Sequence, residues 1–413
     1  MSAGGTKISR IAVVSANPAR WGGSEELWSA TTAVLARRGH TVSVWKPLID
    51  GTVGRIRDLA SLGVPLHDPR SRSAWLLRAW TILRRLFPRL ERQEAIHFRR
   101  VLRRERSQFV VISQGGNFDG AYLAQVARDL LIPYILVSHK ADDIYWPPDD
   151  QRHAMREAHM RASASCFVSD HNLRLTEEQI GTPLPHAQIV RNPFQVPWTP
   201  REDWPDQGGG LRMACIGRLH MREKGQDLVL RLLAMEKWRA RAVRVSFFGV
   251  GENAIGLHDM AKFLNLDSVD FAGFCSAPEH IWDDHHGLIL PSRCEGLPLV
   301  EVEAMLSGRV VVTTAAGGNA EILADEETGF LASAITLAGL DAAMERAWAR
   351  RGDWRQIGQA ASAAIRRQVP HDPAEKFADE ILRCAAAAAV AQAKSPRRAS
   401  GDARQRRASP VLD

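Results

Sequence analysis

The chain has 413 residues, of which 45% are hydrophobic and 24% are charged, which is typical of a globular protein with about two to four domains. This composition excludes a largely disordered chain, a collagen-like chain and a coiled-coil rod. The net charge of +7 is concentrated in two places: residues 70–106 hold 12 Arg against three Glu, and residues 394–413 hold six Lys or Arg against two Asp.

The sequence carries no sign of a targeting or membrane-spanning segment. No apolar run reaches about 18 residues, the length that a transmembrane helix needs. The first apolar run, residues 11–15, is too short for the core of a signal peptide. The five cysteines are scattered and never spaced CxxC, which argues against a disulfide framework or a zinc site. We therefore expect a cytoplasmic protein.

Apolar strands alternate with helical stretches through residues 1–197. Strands are predicted at residues 11–15, 41–45, 109–113, 134–138 and 166–169, and helices at 25–38 and 121–130. This alternation indicates parallel βαβ units, and hence a Rossmann-like domain. Such sheets bind ligands at the carboxyl ends of their strands.

A break in the pattern separates a second domain from the first. Two prolines and three glycines within residues 198–210 predict a linker. In residues 211–372 the alternation restarts, with strands at 212–216, 243–248, 288–291 and 310–313 and helices at 226–239, 253–264 and 299–307. A helix at 373–393 and a disordered basic tail at 394–413 are predicted to follow.

Two motifs place polar groups where a strand meets a helix. Gly22 and Gly23 precede the first helix, where glycine lets backbone N–H groups approach an anion; a plain tight turn is the alternative. Gly217 and Arg218 follow a strand of the second domain, and Lys224 lies on the same connection. Two cations on one loop suit a pyrophosphate, although two solvated surface charges would look the same.

A third motif carries two carboxylates. Glu295 lies in a loop, and Glu303 lies on the helix that follows, with Pro298 predicted at the first helical position. These carboxylates suit hydrogen bonds to separate hydroxyl groups of one extended ligand. Glu301, on the same helix, is interpreted as a surface charge. A fourth, glycine-rich loop follows the next strand at residues 314–321.

Taken in this order, the four motifs resemble those of family 4 glycosyltransferases. The resemblance covers residues 8–390 and is strongest in the spacing of Glu295 and Glu303. It implies the GT-B fold, an α/β architecture in which two Rossmann-like domains with parallel sheets face a central cleft. It also implies a retaining transfer of a sugar from a nucleotide-sugar donor to an acceptor hydroxyl, in the synthesis of a cell-surface polysaccharide or a lipid-linked glycan.

The resemblance also implies roles for individual residues. Arg218 and Lys224 would hold the diphosphate, Glu303 the ribose hydroxyls and Glu295 the sugar hydroxyls, with His139, Arg218, Lys224 and Glu295 as the catalytic set. The expected donor-binding residues are Gly22, Gly23, Gly217, Arg218, Lys224, Gly249, Phe274, Glu295, Gly296, Leu297, Leu299 and Glu303. The chain has no D-x-D triplet, and neither a metal nor another cofactor is expected.

The acceptor is expected on the first domain. His139 ends a predicted strand and matches the family's histidine beside the reacting carbon; a histidine satisfied within the fold is the alternative. The residues after it are rich in acids and aromatics, a mixture that binds sugars well. We expect Asp142, Asp143 and Asn117 to contact the acceptor, while a simple acidic loop remains open.

The basic segment 70–106 contains a candidate membrane-binding helix. In residues 72–89, Trp75, Trp80 and Phe87 recur at helical spacing among arginines. This pattern is typical of a helix lying on an anionic membrane surface, which would suit a lipid-linked acceptor at the inner face of the plasma membrane. Alternatively the apolar stripe packs on the sheet. No nucleic-acid-binding motif accompanies the charge, so we expect no nucleic-acid partner.

Four other functions were weighed against the sequence. A GT-B epimerase or a phosphorylase would share the fold, although a phosphorylase needs a pyridoxal lysine that nothing indicates. A non-catalytic sugar-binding protein is disfavoured because both carboxylates and both cations are present. A Rossmann oxidoreductase is excluded by the absence of GxGxxG with an acidic residue about 20 positions later.

Overall fold

Two parallel sheets organise the protein, one in each half of the chain. The structure is a computed structural model that describes residues 10–19, 21–70, 89–206 and 210–394. The first domain contains the strands β1 (Arg10–Ser15), β2 (Thr41–Trp45), β3 (Leu66–His67), β4 (Phe109–Gln114), β5 (Tyr134–Ser138), β6 (Ala164–Phe167) and β7 (Ala187–Ile189). The second contains β8 (Leu211–Ile216), β9 (Val243–Phe248), β10 (Val269–Gly273), β11 (Gly287–Leu290), β12 (Val310–Thr314) and β13 (Phe330–Ala332).

Helices cover both faces of each sheet. Those between the first-domain strands are α1 (Gly23–Arg37), α2 (Gly54–Ser61), α3 (Arg89–Arg104), α4 (Ala121–Asp129), α5 (Asp149–Met160) and α6 (Asp170–Ile180). The second domain begins with α7 (Met221–Lys224), α8 (Gln226–Leu233), α9 (Glu236–Arg239), α10 (Ala254–Phe263) and α11 (Ile281–Asp284). It continues with α12 (Leu299–Leu306), α13 (Asn319–Ile322), α14 (Leu337–Ala349) and α15 (Trp354–Gln368), and α16 (Pro373–Lys394) follows.

In each sheet the first strand of the domain, β1 or β8, lies in the interior and not at an edge. The first sheet runs β3-β2-β1-β4-β5-β6-β7 and the second β10-β9-β8-β11-β12-β13, and every pairing is parallel. Central strands are buried on both faces; all six residues of β4 are buried. Parallel strands covered on both faces read as continuous apolar runs, and this is why the sequence reveals them.

The structure corrects several boundaries. The helix predicted at 226–239 is two helices, α8 and α9, because Met235 between them is extended. The strand predicted at 166–169 lies two residues earlier, as β6. Pro298 is the residue before α12 and not its first residue, since its ψ of 126° is extended. Four edge strands, β3, β7, β10 and β13, and six helices of eight or more residues, α2, α3, α5, α6, α14 and α15, escaped prediction.

The helix α16 returns to the first domain. Its apolar face, with Phe377 and Ile381, shares a core with Leu27 and Val34 of α1. Arg38, at the end of α1, forms ion pairs with Glu375 and with Asp379, the latter at 2.6 Å. The chain therefore crosses between the domains twice, once after β7 and once between α15 and α16.

Truncating Phe377 should destabilise the first domain. Phe377→Ala removes a ring that is 2% exposed, which typically costs about 3–5 kcal/mol in free energy of unfolding. Hydrogen exchange should lose protection in α1 and β1 before the second sheet is affected. Lys376→Ala, an exposed neighbour, should change the free energy of unfolding by less than about 0.5 kcal/mol. Equal loss of protection in both sheets would contradict this assignment.

The candidate membrane-binding segment lies almost wholly outside the described residues, which exclude 71–88. The same holds for residues 395–413 of the predicted tail. Among the residues that are described, no helix is both long enough and apolar enough to cross a membrane.

Candidate active site

The carboxyl ends of the two sheets meet along a close seam. Gly296, in the loop after β11, packs against the backbone of His139, which follows β5: a Cβ atom at position 296 would lie 1.8 Å from the His139 carbonyl oxygen. Gly23, at the start of α1, faces Leu299 at the start of α12. The glycine loop of the first domain and the carboxylate loop of the second therefore lie across from each other.

The two predicted diphosphate cations are each paired with a carboxylate. Lys224 Nζ lies 2.6 Å from Glu295 Oε1, which also accepts a hydrogen bond from Ser292 Oγ at 2.6 Å. Arg218 Nη2 donates to Glu223 Oε2 at 2.7 Å. Arg218 is more than half exposed, so its guanidinium is accessible to a ligand. The structure thus brings Arg218, Lys224 and Glu295 into one charged cluster.

Glu223 extends this cluster to the first domain. Its Oε1 atom lies 3.1 Å from Nζ of Lys140, the residue after His139. Its backbone carbonyl accepts the N–H groups of Arg293 and Cys294, which begin the carboxylate loop. Sequence analysis missed both Glu223 and Lys140, although each is adjacent in sequence to a predicted site residue.

Gly217, Gly249 and Gly273 lie at the ends of β8, β9 and β10, and Gly217 lies beside the Lys224 side chain. Gly217 and Gly249 lie side by side, and a Cβ atom at Gly249, whose φ is +138°, would lie 2.0 Å from the Gly217 carbonyl oxygen. Only glycine fits there. Phe274 follows Gly273 at the next strand end and its side chain is 74% exposed, which leaves an aromatic face open to a ligand.

Glu303 lies buried at the boundary between the domains. Its Oε1 atom accepts the backbone N–H of Gln195 at 2.9 Å, from the segment that leads into the linker. Burial raises the pKa of Glu303 to about 7, and the Gln195 hydrogen bond offsets part of this rise. Leu297 is buried nearby in the core beneath α12, so its side chain is structural and its backbone alone is available to a ligand.

Glu301 is not a surface charge, and that prediction is wrong. Its side chain is fully buried, and neither carboxyl oxygen has a hydrogen-bond partner among the described residues. Burial raises the pKa of Glu301 well above its ordinary 4.5, and the charge of Glu295 adds to the rise. Glu301 is buried because α12 is covered by α15 on one face and by strands on the other.

The buried Glu301 should make stability depend on pH. The carboxyl is neutral in the folded chain, whereas it ionises above pH 4.5 in the unfolded chain, so folding loses stability as the pH rises beyond that value. Glu301→Gln should remove up to about 1.4 kcal/mol per pH unit of this loss. Urea unfolding from pH 5 to 8 measures the slope. Glu327→Gln, exposed, should leave it unchanged; an unchanged slope in Glu301→Gln would refute the assignment.

His139 is a buried, neutral imidazole next to the seam. Its Nε2 atom lies 3.1 Å from Ser113 Oγ, at the end of the neighbouring strand β4. Burial lowers the pKa of His139 to about 4, so the ring is uncharged at neutral pH. Its Nδ1 atom lies beside Asn192 without a well-formed hydrogen bond to any described residue. The ring can therefore offer a neutral donor or acceptor.

A buried ion pair fixes the loop before Gly22 and Gly23. Lys46, at the end of β2, donates to the carbonyl oxygens of Asn17 at 3.0 Å and Ala19 at 2.7 Å. Its Nζ atom lies 3.5 Å from Glu25, on the first turn of α1. Burial raises the pKa of Glu25 and lowers the pKa of Lys46. These contacts hold the glycine loop against the seam.

The residues expected at the acceptor have different surroundings. Asp142 is partly exposed and accepts the backbone N–H of Ile144, while Asp143 lies 3.1 Å from Nε2 of His171. Both carboxylates therefore remain open to solvent. Asn117 is buried, and its amide nitrogen donates to two residues of α6, Thr176 at 2.8 Å and Gln179 at 2.7 Å. That nitrogen holds α6 in place, so the position of Asn117 does not support an acceptor contact.

A second polar contact joins the two domains near the residues that are expected to contact the acceptor. Glu321, in the fourth predicted motif, accepts the backbone N–H groups of Asp170 at 3.0 Å and His171 at 2.6 Å, at the start of α6. A carboxylate is favourable at a helix N-terminus. The sequence shows that Glu321 follows Gly317 and Gly318, but it does not show that Glu321 contacts α6 of the other domain. Within the described ranges, no group of three His, Cys, Asp or Glu side chains is placed to hold a metal ion.

Comparisons with known proteins bear on the family of the second domain and on the fold of the whole chain. Residues 210–350 match the family model for glycosyl transferases group 1. An uncharacterized glycosyltransferase of Haemophilus influenzae is 31% identical over 110 residues, which are 26% of this chain and 31% of that protein. A glycogen synthase of Alkalilimnicola ehrlichii is 29% identical over 160 residues, or 36% and 32% of the two chains. The matches thus span about a third of these curated relatives.

Solved structures are similar along most of the chain. Anabaena Alr3699/HepE in complex with UDP and glucose superposes with a TM-score of 0.69 at 17% identity, covering 91% of this chain and 98% of the other. A sucrose-phosphate synthase from Thermosynechococcus elongatus gives a TM-score of 0.69 at 14% identity, covering 92% and 99%. With two parallel-sheet α/β domains, the chain has the GT-B fold, and the predicted fold class is confirmed.

Proposed function

We propose that this protein, whose residues 210–350 form a glycosyl transferases group 1 domain, is a retaining glycosyltransferase that moves a sugar from a nucleotide-sugar donor to an acceptor hydroxyl. The observation that carries the proposal is the cluster of Arg218, Lys224 and Glu295 opposite His139, where both sheets end. The structurally similar Anabaena Alr3699/HepE has been solved in complex with UDP and with UDP-glucose, so UDP sugars are the first donors to test.

The site supplies what departure of a nucleoside diphosphate requires. Negative charge grows on the β-phosphate as the sugar leaves, and fixed positive groups stabilise it without rearranging. Arg218, Lys224 and the N-terminus of α12 are such groups. The diphosphate would take the place that Glu223 and Glu295 now hold beside the cations, which frees Glu295 for the sugar hydroxyls. The acceptor hydroxyl would attack from the face where the phosphate departs and give it the proton.

The first domain would bind the acceptor. Asp142 and Asp143 offer open carboxylates to sugar hydroxyls, and neutral His139 would lie beside the reacting centre. A lipid-linked acceptor, met at an anionic membrane by residues 72–89, is part of this proposal. Sedimentation with anionic vesicles, lost at high salt and absent with neutral vesicles, would support that contact; binding indifferent to lipid charge would count against it.

Nucleotide release from a panel of nucleotide sugars tests the reaction. We expect one donor to release its nucleoside diphosphate faster when an acceptor glycan is added, with the anomeric configuration of the donor kept in the product. An epimerase would convert the donor without a glycan product, and a phosphorylase would require inorganic phosphate. No release and no donor binding across the panel would refute the proposal.

Changing Glu303 should weaken donor binding. Glu303→Gln replaces a carboxylate that would accept from two ribose hydroxyls by an amide that keeps one acceptor oxygen, and a charged hydrogen bond is worth about 1.5–3 kcal/mol. Calorimetry with UDP at pH 8, above the pKa of about 7 of the Glu303 carboxyl, should therefore show a Kd about tenfold or more above the wild-type value. Glu327→Gln serves as the exposed control. An unchanged Kd would remove Glu303 from the ribose site.

A further inference from the structure

A cavity of about 600 Å³ lies where the interdomain linker runs over α15. Its walls come from residues 200–204 of the linker, from the residues before β12 and from α15. Four arginines line it: Arg201, Arg309, Arg355 and Arg366. None of the residues assigned to the candidate active site lines this cavity.

Arg309 is a buried cation without a carboxylate partner. Its side chain is 1% exposed, and its guanidinium lies over the Trp204 ring, 5.1 Å from the ring centre. It donates to the carbonyl oxygens of Trp282 at 2.7 Å and Asp203 at 3.2 Å. No carboxylate oxygen of the described chain lies within 4.0 Å of it. Burial lowers the pKa of Arg309 to about 10. The positive charge of Arg201 adds to this fall, while the charges of Asp203 and Asp283 offset part of it.

Arg366, on α15, also lies over a tryptophan ring, but it is only partly buried. Its guanidinium lies over Trp198, 5.5 Å from the ring centre, and donates to the carbonyl oxygens of Trp198 and Leu306 and to Ser362. It too has no carboxylate within 4.0 Å in the part of the chain that the structure covers. Burial lowers the pKa of Arg366 as well.

The remaining charges leave the cavity positive. Arg201 is neutralised by Asp203, at 2.7 Å, and by Asp283. Arg355 is exposed and uses only Nη2, in a bond to the Glu202 carbonyl oxygen at 2.9 Å; its Nε and Nη1 groups donate to no described residue. Three guanidinium groups therefore face one unpaired carboxylate, that of Glu202.

We propose that this cavity binds a small anionic metabolite through its phosphate or carboxylate groups. Buried charges are normally paired, because a charge away from water is costly without a counter-charge. Nε and Nη1 of Arg355 and Nη1 of Arg309 donate to no described residue, so these two guanidinium groups can meet carboxylate or phosphate oxygens beside the Trp204 ring. A volume of about 600 Å³ suits a small metabolite.

The position of the cavity connects it to both crossings between the domains. Trp198 belongs to the linker, and its ring packs edge-on against His371, 5.1 Å away, in the segment between α15 and α16. Arg366 lines the cavity and lies over Trp198, so it links the cavity to the residues that carry the chain out of the first domain and back to it. Occupancy would change how freely the domains move, whatever reaction the cleft performs.

Calorimetric titration with citrate and with inorganic phosphate tests the site. We expect one site per chain, with the Kd about tenfold higher in Arg355→Gln, which loses a charged hydrogen bond, and lower in Glu202→Gln, which loses the opposing charge. Arg244→Gln removes an equally exposed arginine elsewhere in the domain and should leave the Kd unchanged. Comparing the two anions distinguishes carboxylate from phosphate recognition.

Two results would overturn the proposal. The first is no measurable binding of either anion to the folded wild-type chain. The second is a change in Kd that is equal in Arg355→Gln and Arg244→Gln, or absent from both Arg355→Gln and Glu202→Gln, which would mean adventitious binding to surface charge. UDP titrated into the same preparation reports on the cleft separately, so a failure of the proposed function would be recognised as a different result.

Discussion

Replacing Lys224 by methionine should lower kcat by about 100-fold to 1,000-fold, with a much smaller change in donor KM. The ammonium would face a diphosphate whose charge increases toward the transition state, so its loss affects the transition state more than the bound ground state. Steady-state rates with the preferred nucleotide sugar measure the two constants. Methionine keeps the side chain as far as Cε, so packing against Gly217 is retained.

The matched control for this variant is Arg222→Met. Arg222 is an exposed cation on the same short helix α7 and makes no ion pair with the described residues, so its removal changes the charge of the helix without changing the cluster. Its kcat should stay within about twofold of wild type, as for most surface changes. If Lys224→Met instead raises KM and leaves kcat unchanged, Lys224 binds the ground state only.

Adding a methyl group at Gly296 should separate the two domains. In Gly296→Ala the new Cβ would lie 1.8 Å from the His139 carbonyl oxygen, and both partners are backbone, so neither can rotate away. The seam must open, which displaces His139 from the loop of Glu295. A displacement of about 1 Å can cost roughly 100-fold in rate. We expect a loss of kcat of that size or more, together with a larger radius of gyration in solution scattering.

Gly352→Ala provides the comparison, because a Cβ atom there would meet nothing within 4 Å. That variant should match wild type in both rate and radius. The melting temperature of Gly296→Ala should fall, because opening the seam exposes Val168, which packs in a core made mostly of second-domain residues. A wild-type radius with wild-type kcat would show that the seam is not required for the reaction.

The interior strands of each sheet could be predicted from the sequence and the edge strands could not, because the two kinds of strand are buried to different extents. Strands such as β4 and β12 are buried on both faces and read as unbroken apolar runs. Edge strands such as β10 carry a mixture of partly buried and exposed residues, with no run to detect. The helix α14 escaped because helical periodicity in an alanine-rich stretch carries little contrast.

The candidate site was predictable where one short segment holds it and not where two segments meet. Arg218 and Lys224 share one connection, and Glu295 and Glu303 share one loop and helix, so their spacing is visible. The ion pair of Lys140 with Glu223 and the capping of α6 by Glu321 join separate domains, and no periodicity records such a contact. Glu301 was misassigned because a carboxylate on a helix is ordinarily solvated, and only the packing around α12 shows otherwise.

The docking of α16 on α1 has a consequence for protein synthesis. The ribosome makes β1 to β7 first, but α1 lacks the face that covers Leu27 and Val34 until Pro373–Lys394 have been made. At about 5–20 residues per second, this leaves the incomplete first domain exposed for on the order of ten seconds or longer. During that interval an apolar surface is open to chaperones. The second domain can complete its core as soon as its own residues are made, because its strands and helices are continuous in sequence.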